Sequence, residues 1–268
     1  MTLPFEQWGR GSRPALFLHG FTGSRASWRH LEPLLGDELR ATCVDLPGHG
    51  EADPPAPGTD GFVATIDRLA EMLEEPSVIV GYSQGARLAL GLAVRHPDRV
   101  ERLILESGTP GFHRRADRAR RRQADEALAK LILESGVERF VERWEAHPLF
   151  AGLRRLPVAE RAALRLRRAS HRAEGLAGAV LGLGQGAQPD YWPSLTQVLR
   201  PTLVLSGAHD GRYTHLARRM VDDLPLGWRA TFTGAGHAPH LECPRAYAEE
   251  VLRFLAPRWQ VEPQELAP

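Results

Sequence analysis

A serine flanked by glycines sits where a β-branched apolar run gives way to a helix-forming stretch, and this junction constrains the architecture more than any other feature. Ser77-Val78-Ile79-Val80 reads as a buried strand, Gly81-Tyr82-Ser83-Gln84-Gly85 as the turn, and Ala86-Arg87-Leu88-Ala89-Leu90 as the start of a helix. A strand feeding directly into a helix must turn sharply, and glycines on either side of the serine remove Cβ atoms that would clash there. The serine oxygen is then presented above the sheet edge, at the positive end of a helix.

Around this junction, short apolar runs alternate with amphipathic stretches, the pattern of a mostly parallel sheet with helices on both faces. Strands are predicted over 15–18, 41–45, 77–81, 103–106, 202–206 and 229–232, and helices over 27–35, 60–73, 84–95, 216–224 and 244–255. From about 111 to 193 the alternation stops, and an arginine- and alanine-rich stretch shows helical spacing, as in Ala127 with Leu131 and Leu128 with Ile132. The division is therefore a core of residues 1–110 and 194–268, and a helical cap of residues 111–193 over the strand ends that present Ser83. A cap there supplies specificity and excludes water. From Pro257 onward the chain reads as a frayed tail.

Strand, G-x-S-x-G and helix in this order are the nucleophile elbow of an α/β-hydrolase fold, in which an acid and then a base follow the serine. Asp210 lies after the predicted strand 202–206, and His237 after the predicted strand 229–232. His237 would take the serine proton, and Asp210 would fix its tautomer and stabilise the imidazolium. Asp222 and Asp223 compete with Asp210 but read as the solvated face of a helix; His240 competes with His237 but lacks its glycine context. Developing negative charge needs donors, and the backbone N–H groups of Gln84 and of Phe21, in His19-Gly20-Phe21-Thr22-Gly23, are placed to supply them. His19 and His49 read as loop-ordering residues. Arg87 falls in the first turn after the elbow, where a cation meets the positive helix end at a cost of roughly 0.3–1 kcal/mol that an anionic substrate would offset. Arg121 and Arg168, on predicted cap helices, are the other cations within reach of such a substrate.

With 34 basic and 33 acidic side chains and a formal charge of +1, no whole-chain field favours nucleic acid or a membrane surface. The arginines between Arg114 and Arg122 have no interleaved aromatics, which argues against a nucleic-acid site. Gly182-Leu183-Gly184-Gln185-Gly186-Ala187 fits a dinucleotide pattern but follows a helical stretch and no strand, so it reads as a helix end. His209, Asp210 and His237 lack the paired spacing of a zinc site, and Cys43 and Cys243 read as plain thiols. No cofactor or metal is expected, and the absence of a signal-peptide pattern or long apolar run gives a cytoplasmic expectation. The oligomeric state is not legible.

Beyond the elbow, Gly85-Ala86-Arg87, Glu106-Ser107-Gly108-Thr109-Pro110-Gly111, the spaced Arg118 and Arg121, Trp144 before Pro148-Leu149-Phe150, and Gln188-Pro189-Asp190-Tyr191-Trp192 carry a more specific likeness. Together they resemble the 2-succinyl-6-hydroxy-2,4-cyclohexadiene-1-carboxylate synthases of menaquinone biosynthesis, over nearly the whole chain. The resemblance implies a lyase that eliminates pyruvate from a cyclohexene bearing several carboxylates, with the serine as general base and no acyl-enzyme. It implies Ser83, Asp210 and His237 as the triad, Phe21 and Gln84 as oxyanion donors, Arg87, Arg121 and Arg168 as carboxylate clamps, and Tyr82 and Trp144 as pocket walls. Gln84 and Ala86 depart from the Met or Leu and the Gly usual in that family. A carboxylesterase or carbon–carbon bond hydrolase with the same triad is the alternative chemistry. A non-catalytic binding protein is the third reading, and its signature, a missing triad member, is not present.

Overall fold

A computed structural model describes residues 2–256, so the tail predicted from Pro257 lies outside the described residues. Seven strands form one sheet in the order β1-β3-β2-β4-β5-β6-β7: β1 Phe5–Trp8, β2 Arg13–Leu18, β3 Leu39–Val44, β4 Ser77–Tyr82, β5 Val100–Glu106, β6 Thr202–Gly207 and β7 Gly227–Phe232. All neighbours run parallel except β1, which pairs antiparallel with β3. The helices are α1 Glu32–Leu35, α2 Gly58–Glu71, α3 Gln84–Arg95, α4 Arg115–Ala146, α5 Val158–Ala169, α6 Ala173–Leu183, α7 Gly211–Asp223, α8 Pro239–Glu242 and α9 Pro244–Leu255.

Side-chain alternation along the strands divides the core in two. Leu16, Leu18, Ile79, Leu103, Leu105 and Val204 meet α2, α3 and α7 on one face. Phe17, Val78, Val80, Ile104, Leu203 and Leu205 meet Trp28, Leu31, Leu35, Tyr247, Val251 and Phe254 on the other. Because both faces are covered, the central strand carries consecutive apolar residues rather than an alternation, and Val78, Ile79 and Val80 are all fully buried.

Beyond shifts of one to three residues at element ends, several elements differ from the sequence expectation. The helix predicted over 27–35 is 3-10 over Arg25–Leu31 and α-helical only over Glu32–Leu35. The strand β1 was not predicted, because the edge run Phe5-Glu6-Gln7-Trp8 is short and half polar and gains its pairing only from β3. Helix α7 begins at Gly211 and not at 216, since the Asp210 side chain accepts the Tyr213 N–H and starts the helix earlier.

Between β5 and β6 the described chain forms only helices and turns: α4, a run of 3-10 turns over 148–155, α5 and α6. Helix α4 is broken at Gly136, where φ is 73°. These helices have their own apolar cluster of Ala129, Ile132, Phe140, Val141, Leu176, Ala177 and Val180, with Phe21 and Trp144 packed against it. The segment thus touches the sheet's loops next to Ser83. Among the described residues, no helix is long and apolar enough to cross a membrane.

At the β4–α3 turn the backbones leave no room for a side chain: a Cβ on Gly85 would stand 2.0 Å from the Leu18 carbonyl oxygen of β2. Gly85→Ala is therefore expected to destabilise the protein by about 3 kcal/mol or more, since neither neighbour is a movable side-chain tip. Urea unfolding checks this; a midpoint equal to wild type would show that the turn can widen.

Candidate active site

Ser83 stands between β4 and α3 with φ 50° and ψ −101°, a conformation that costs a non-glycine residue roughly 1–3 kcal/mol and persists only where its surroundings enforce it. Its N–H donates to the Glu106 carbonyl of β5 at 2.8 Å, and its carbonyl accepts the Arg87 N–H at 3.2 Å. Gln84, the first residue of α3, has a backbone N–H with no acceptor inside the helix. Opposite lies a tight turn closed by the Gly23 N–H on the Gly20 carbonyl at 2.9 Å, with Thr22 at φ 68°. A Cβ on Gly20 would stand 2.6 Å from the Tyr82 ring and 3.5 Å from the Ser83 Cβ, so this turn rests directly on the serine. Phe21 occupies a turn position whose N–H takes no part in closing it.

His237 joins this pair from the loop after β7. Its Nε2 lies 3.2 Å from Ser83 Oγ, and its Nδ1 lies 2.5 Å from Asp210 Oδ2. His237 is 2% exposed and packs edge-on against the Tyr213 ring at 4.7 Å, so its orientation is fixed on both sides. An Nδ1–H donating to Asp210 leaves Nε2 free to accept the serine proton. The competing residues lie elsewhere. Asp222 and Asp223 are exposed on α7, and His209 is exposed. His240 is buried and gives its Nδ1–H and its backbone N–H to Glu106 Oε1, at 2.8 and 3.1 Å. Among the described residues, no group of three or more side chains is placed to hold a metal ion.

Phe21, Tyr82, Ser83, Gln84, Arg87, Arg121, Trp144, Arg168 and His237 line one cavity of about 520 Å³, while Asp210 stands behind His237. The three guanidinium groups are held differently. Arg121 Nε donates to Asp125 Oδ1 at 2.7 Å, and Arg168 donates to Glu145 Oε1 at 3.0 Å while lying over the Phe150 ring. Among the described residues, Arg87 has no carboxylate within ion-pair distance; it donates to the Leu183 carbonyl at 2.7 Å and lies 6.0 Å from the Phe62 ring centroid. Leu183 closes α6, so Arg87 meets the negative end of a second helix, which offsets the dipole penalty that the sequence left to an anion alone. Burial still lowers its pKa from the ordinary 12.5 to about 10, which leaves the group charged at neutral pH.

Sequence reasoning missed Asp125, Gln185 and Tyr213 in the cavity wall. Asp125 ties Arg121 to the Gly186 N–H at 2.9 Å, and the four-residue spacing of Arg121 and Asp125 was its available signal. Gln185, inside the rejected dinucleotide pattern, donates to the Tyr213 hydroxyl at 3.1 Å. Nothing local in the sequence places that loop beside His237.

The chain belongs to the alpha/beta hydrolase family, whose model matches residues 15–250. Several of its relatives carry the name 2-succinyl-6-hydroxy-2,4-cyclohexadiene-1-carboxylate synthase. The Serratia proteamaculans (strain 568) protein of that name is 32% identical over 253 residues, covering 93% of this chain and 96% of the other. A Bacillus subtilis (strain 168) relative, provisionally given the same name, is 36% identical over 249 residues, covering 91% and 90%. Among solved structures, MenH from S. aureus matches with a TM-score of 0.89 at 30% identity, covering 95% of this chain and 98% of that one.

Beneath the turn at Gly20–Gly23 lie three buried imidazoles, His19, His49 and His171. They accept the backbone N–H groups of Leu46, Thr22 and Gly50 respectively, which a protonated ring nitrogen cannot do. Burial lowers the His19 pKa to about 3, that of His49 well below 6.5 and that of His171 in the same direction. Unfolded imidazoles take up protons near 6.5 while these do not, so below that pH the unfolded state binds more protons and stability falls on acidification. The urea midpoint should decline from about pH 7 to about pH 4.5, and more shallowly for His19→Gln, which keeps an acceptor for Leu46. An equal slope in both proteins would place the titrating groups elsewhere.

Proposed function

We infer that this protein is a lyase of menaquinone biosynthesis that forms 2-succinyl-6-hydroxy-2,4-cyclohexadiene-1-carboxylate, the product in its relatives' names, by eliminating pyruvate from a polycarboxylated cyclohexene. The observation that carries this reading is a single cavity holding both a Ser–His–Asp constellation and three guanidinium groups, one of them without a carboxylate partner. An ester hydrolase has no need of a buried cation without a carboxylate partner beside its serine. A substrate with several carboxylates does, because each carboxylate entering a desolvated site needs a counter-charge.

In this reading His237, oriented by Asp210, draws the proton from Ser83 Oγ, and the serine oxygen removes a ring proton from the substrate. The electron pair moves through the ring and breaks the C–O bond, expelling pyruvate as its enolate, which takes the proton held on His237 and tautomerises to pyruvate. Charge developing on the substrate oxygen meets the N–H groups of Phe21 and Gln84. Arg87, Arg121 and Arg168 hold carboxylates, with Asp125 and Glu145 keeping the latter two arginines aimed when no substrate is present. Tyr82 and Trp144 wall the ring, and the helical segment 111–193 serves as the cap that excludes water. The cytoplasm suits a small-molecule enzyme whose two cysteines, Cys43 and Cys243, are unpaired thiols.

Purified protein given the cyclohexene precursor should release pyruvate, read by a coupled dehydrogenase. Ser83→Ala, His237→Ala and Asp210→Ala should each lower kcat by about 1000-fold or more. Rapid turnover of p-nitrophenyl esters with no pyruvate release would instead identify a carboxylesterase. Arg87→Met, which keeps the side-chain volume, should lower kcat/KM for the polycarboxylate by roughly 30-fold or more while changing neutral-ester hydrolysis less than about threefold. Equal losses on both substrates would make Arg87 structural only.

A further inference from the structure

Thr22 is a β-branched residue held at φ 68° and 2% exposed, and the two polar groups of its backbone are taken by two imidazoles from distant parts of the chain. Its N–H donates to His49 Nε2 at 3.2 Å, from the loop after β3. Its carbonyl accepts from His171 Nε2 at 3.1 Å, and His171 lies between α5 and α6, in the helical segment above the site. The tautomers are dictated by what surrounds them. His171 Nδ1 accepts the Gly50 N–H at 3.1 Å, so its proton must sit on Nε2, facing Thr22. His49 Nδ1 lies 3.2 Å from the Pro47 carbonyl and must carry the proton, which leaves Nε2 to accept from Thr22.

The residue before Thr22 is Phe21, whose N–H is assigned above to the developing oxyanion. A peptide that favours another conformation is thus kept in place from two sides, and one side belongs to the segment that covers the cavity. We propose that His171 is a positioning residue that links the helical segment to the oxyanion turn, so that Thr22 is fixed and the Phe21 N–H aimed at the reacting oxygen only while that segment is seated on the core. The chain thereby couples covering of the substrate to assembly of the oxyanion site. The hydrogen bonds of His171 go to Gly50 and Thr22 and to none of Ser83, His237 or the three cavity arginines, and His171 is not among the residues that line the cavity.

The inference rests on the oxyanion role given to Phe21 but not on the identity of the substrate. His171→Phe keeps the ring and its packing against His49 and loses both polar contacts. His171→Gln restores one donor and one acceptor at similar separation. The Phe variant should lose roughly 10- to 100-fold in kcat for pyruvate release, the scale of a misplaced catalytic group, with KM within about twofold of wild type. The Gln variant should recover most of that loss. Phosphorylation of Ser83 by a dialkyl p-nitrophenyl phosphate, in which the serine oxygen bonds to phosphorus and p-nitrophenolate leaves, should slow in the same order. If wild-type protein is phosphorylated yet releases no pyruvate, the lyase reading falls and the phosphorylation rates alone decide this one.

Wild-type kcat in the Phe variant, a raised KM with unchanged kcat, or a Gln variant no better than Phe would each overturn the proposal. Should the Phe variant fail to fold, the Gln variant and the imidazole nitrogen spectrum of the wild type decide. His171 must then be the Nε2–H tautomer and the Gln variant within about threefold of wild-type kcat, and failure of either result overturns the proposal.

Discussion

Ser83 can occupy its left-handed conformation only because β4 and α3 are each anchored independently of it. The strand is buried on both faces between β2 and β5, and the helix is pressed so closely to β2 that Gly85 has no space for a Cβ. Two further non-glycine residues with positive φ, Thr22 at 68° and Ser107 at 49°, lie beyond the ends of those same neighbouring strands, β2 and β5. Strain is thus concentrated at the carboxyl ends of three adjacent parallel strands, where the site forms, and the apolar layers beneath over-determine it.

The cavity manages its cations by three different means, and the difference bears on binding. Arg121 and Arg168 are each aimed by a carboxylate, so a substrate carboxylate would join an existing pair rather than meet a bare charge. Arg87 is steadied instead by a helix-terminal carbonyl and by the face of an aromatic ring, neither of which neutralises it. A guanidinium kept charged in a buried place favours an anion there more strongly than one already shared. The same cavity is lined by Ser83 and His237, and Arg87 follows Ser83 by about one turn of α3.

Much of the fold was legible because parallel strands covered on both faces need unbroken apolar runs, as at Val78, Ile79 and Val80, and because Gly81 and Gly85 bracket a turn that few other residues permit. The serine, aspartate and histidine were legible for a related reason: each follows a strand in a loop, and chain order limits which residues compete. Less local features were not. The edge strand β1 exists only through its pairing with β3, and the early start of α7 depends on Asp210 acting both as helix cap and as partner of His237. Gln185 was set aside with a glycine pattern that has no meaning apart from where the end of α6 falls.

The sequence by itself determined six of the seven strands, the elbow and the types of group gathered at the strand ends, because unbroken apolar runs and the steric limits of a sharp turn act over a few neighbouring residues. Tertiary structure alone decided which arginine has no carboxylate partner, that His240 turns to Glu106 and away from Ser83, and that His171 reaches Thr22 across 149 positions. Those outcomes depend on distances between segments remote in the chain, and hydrogen bonding and desolvation act only once packing has set those distances.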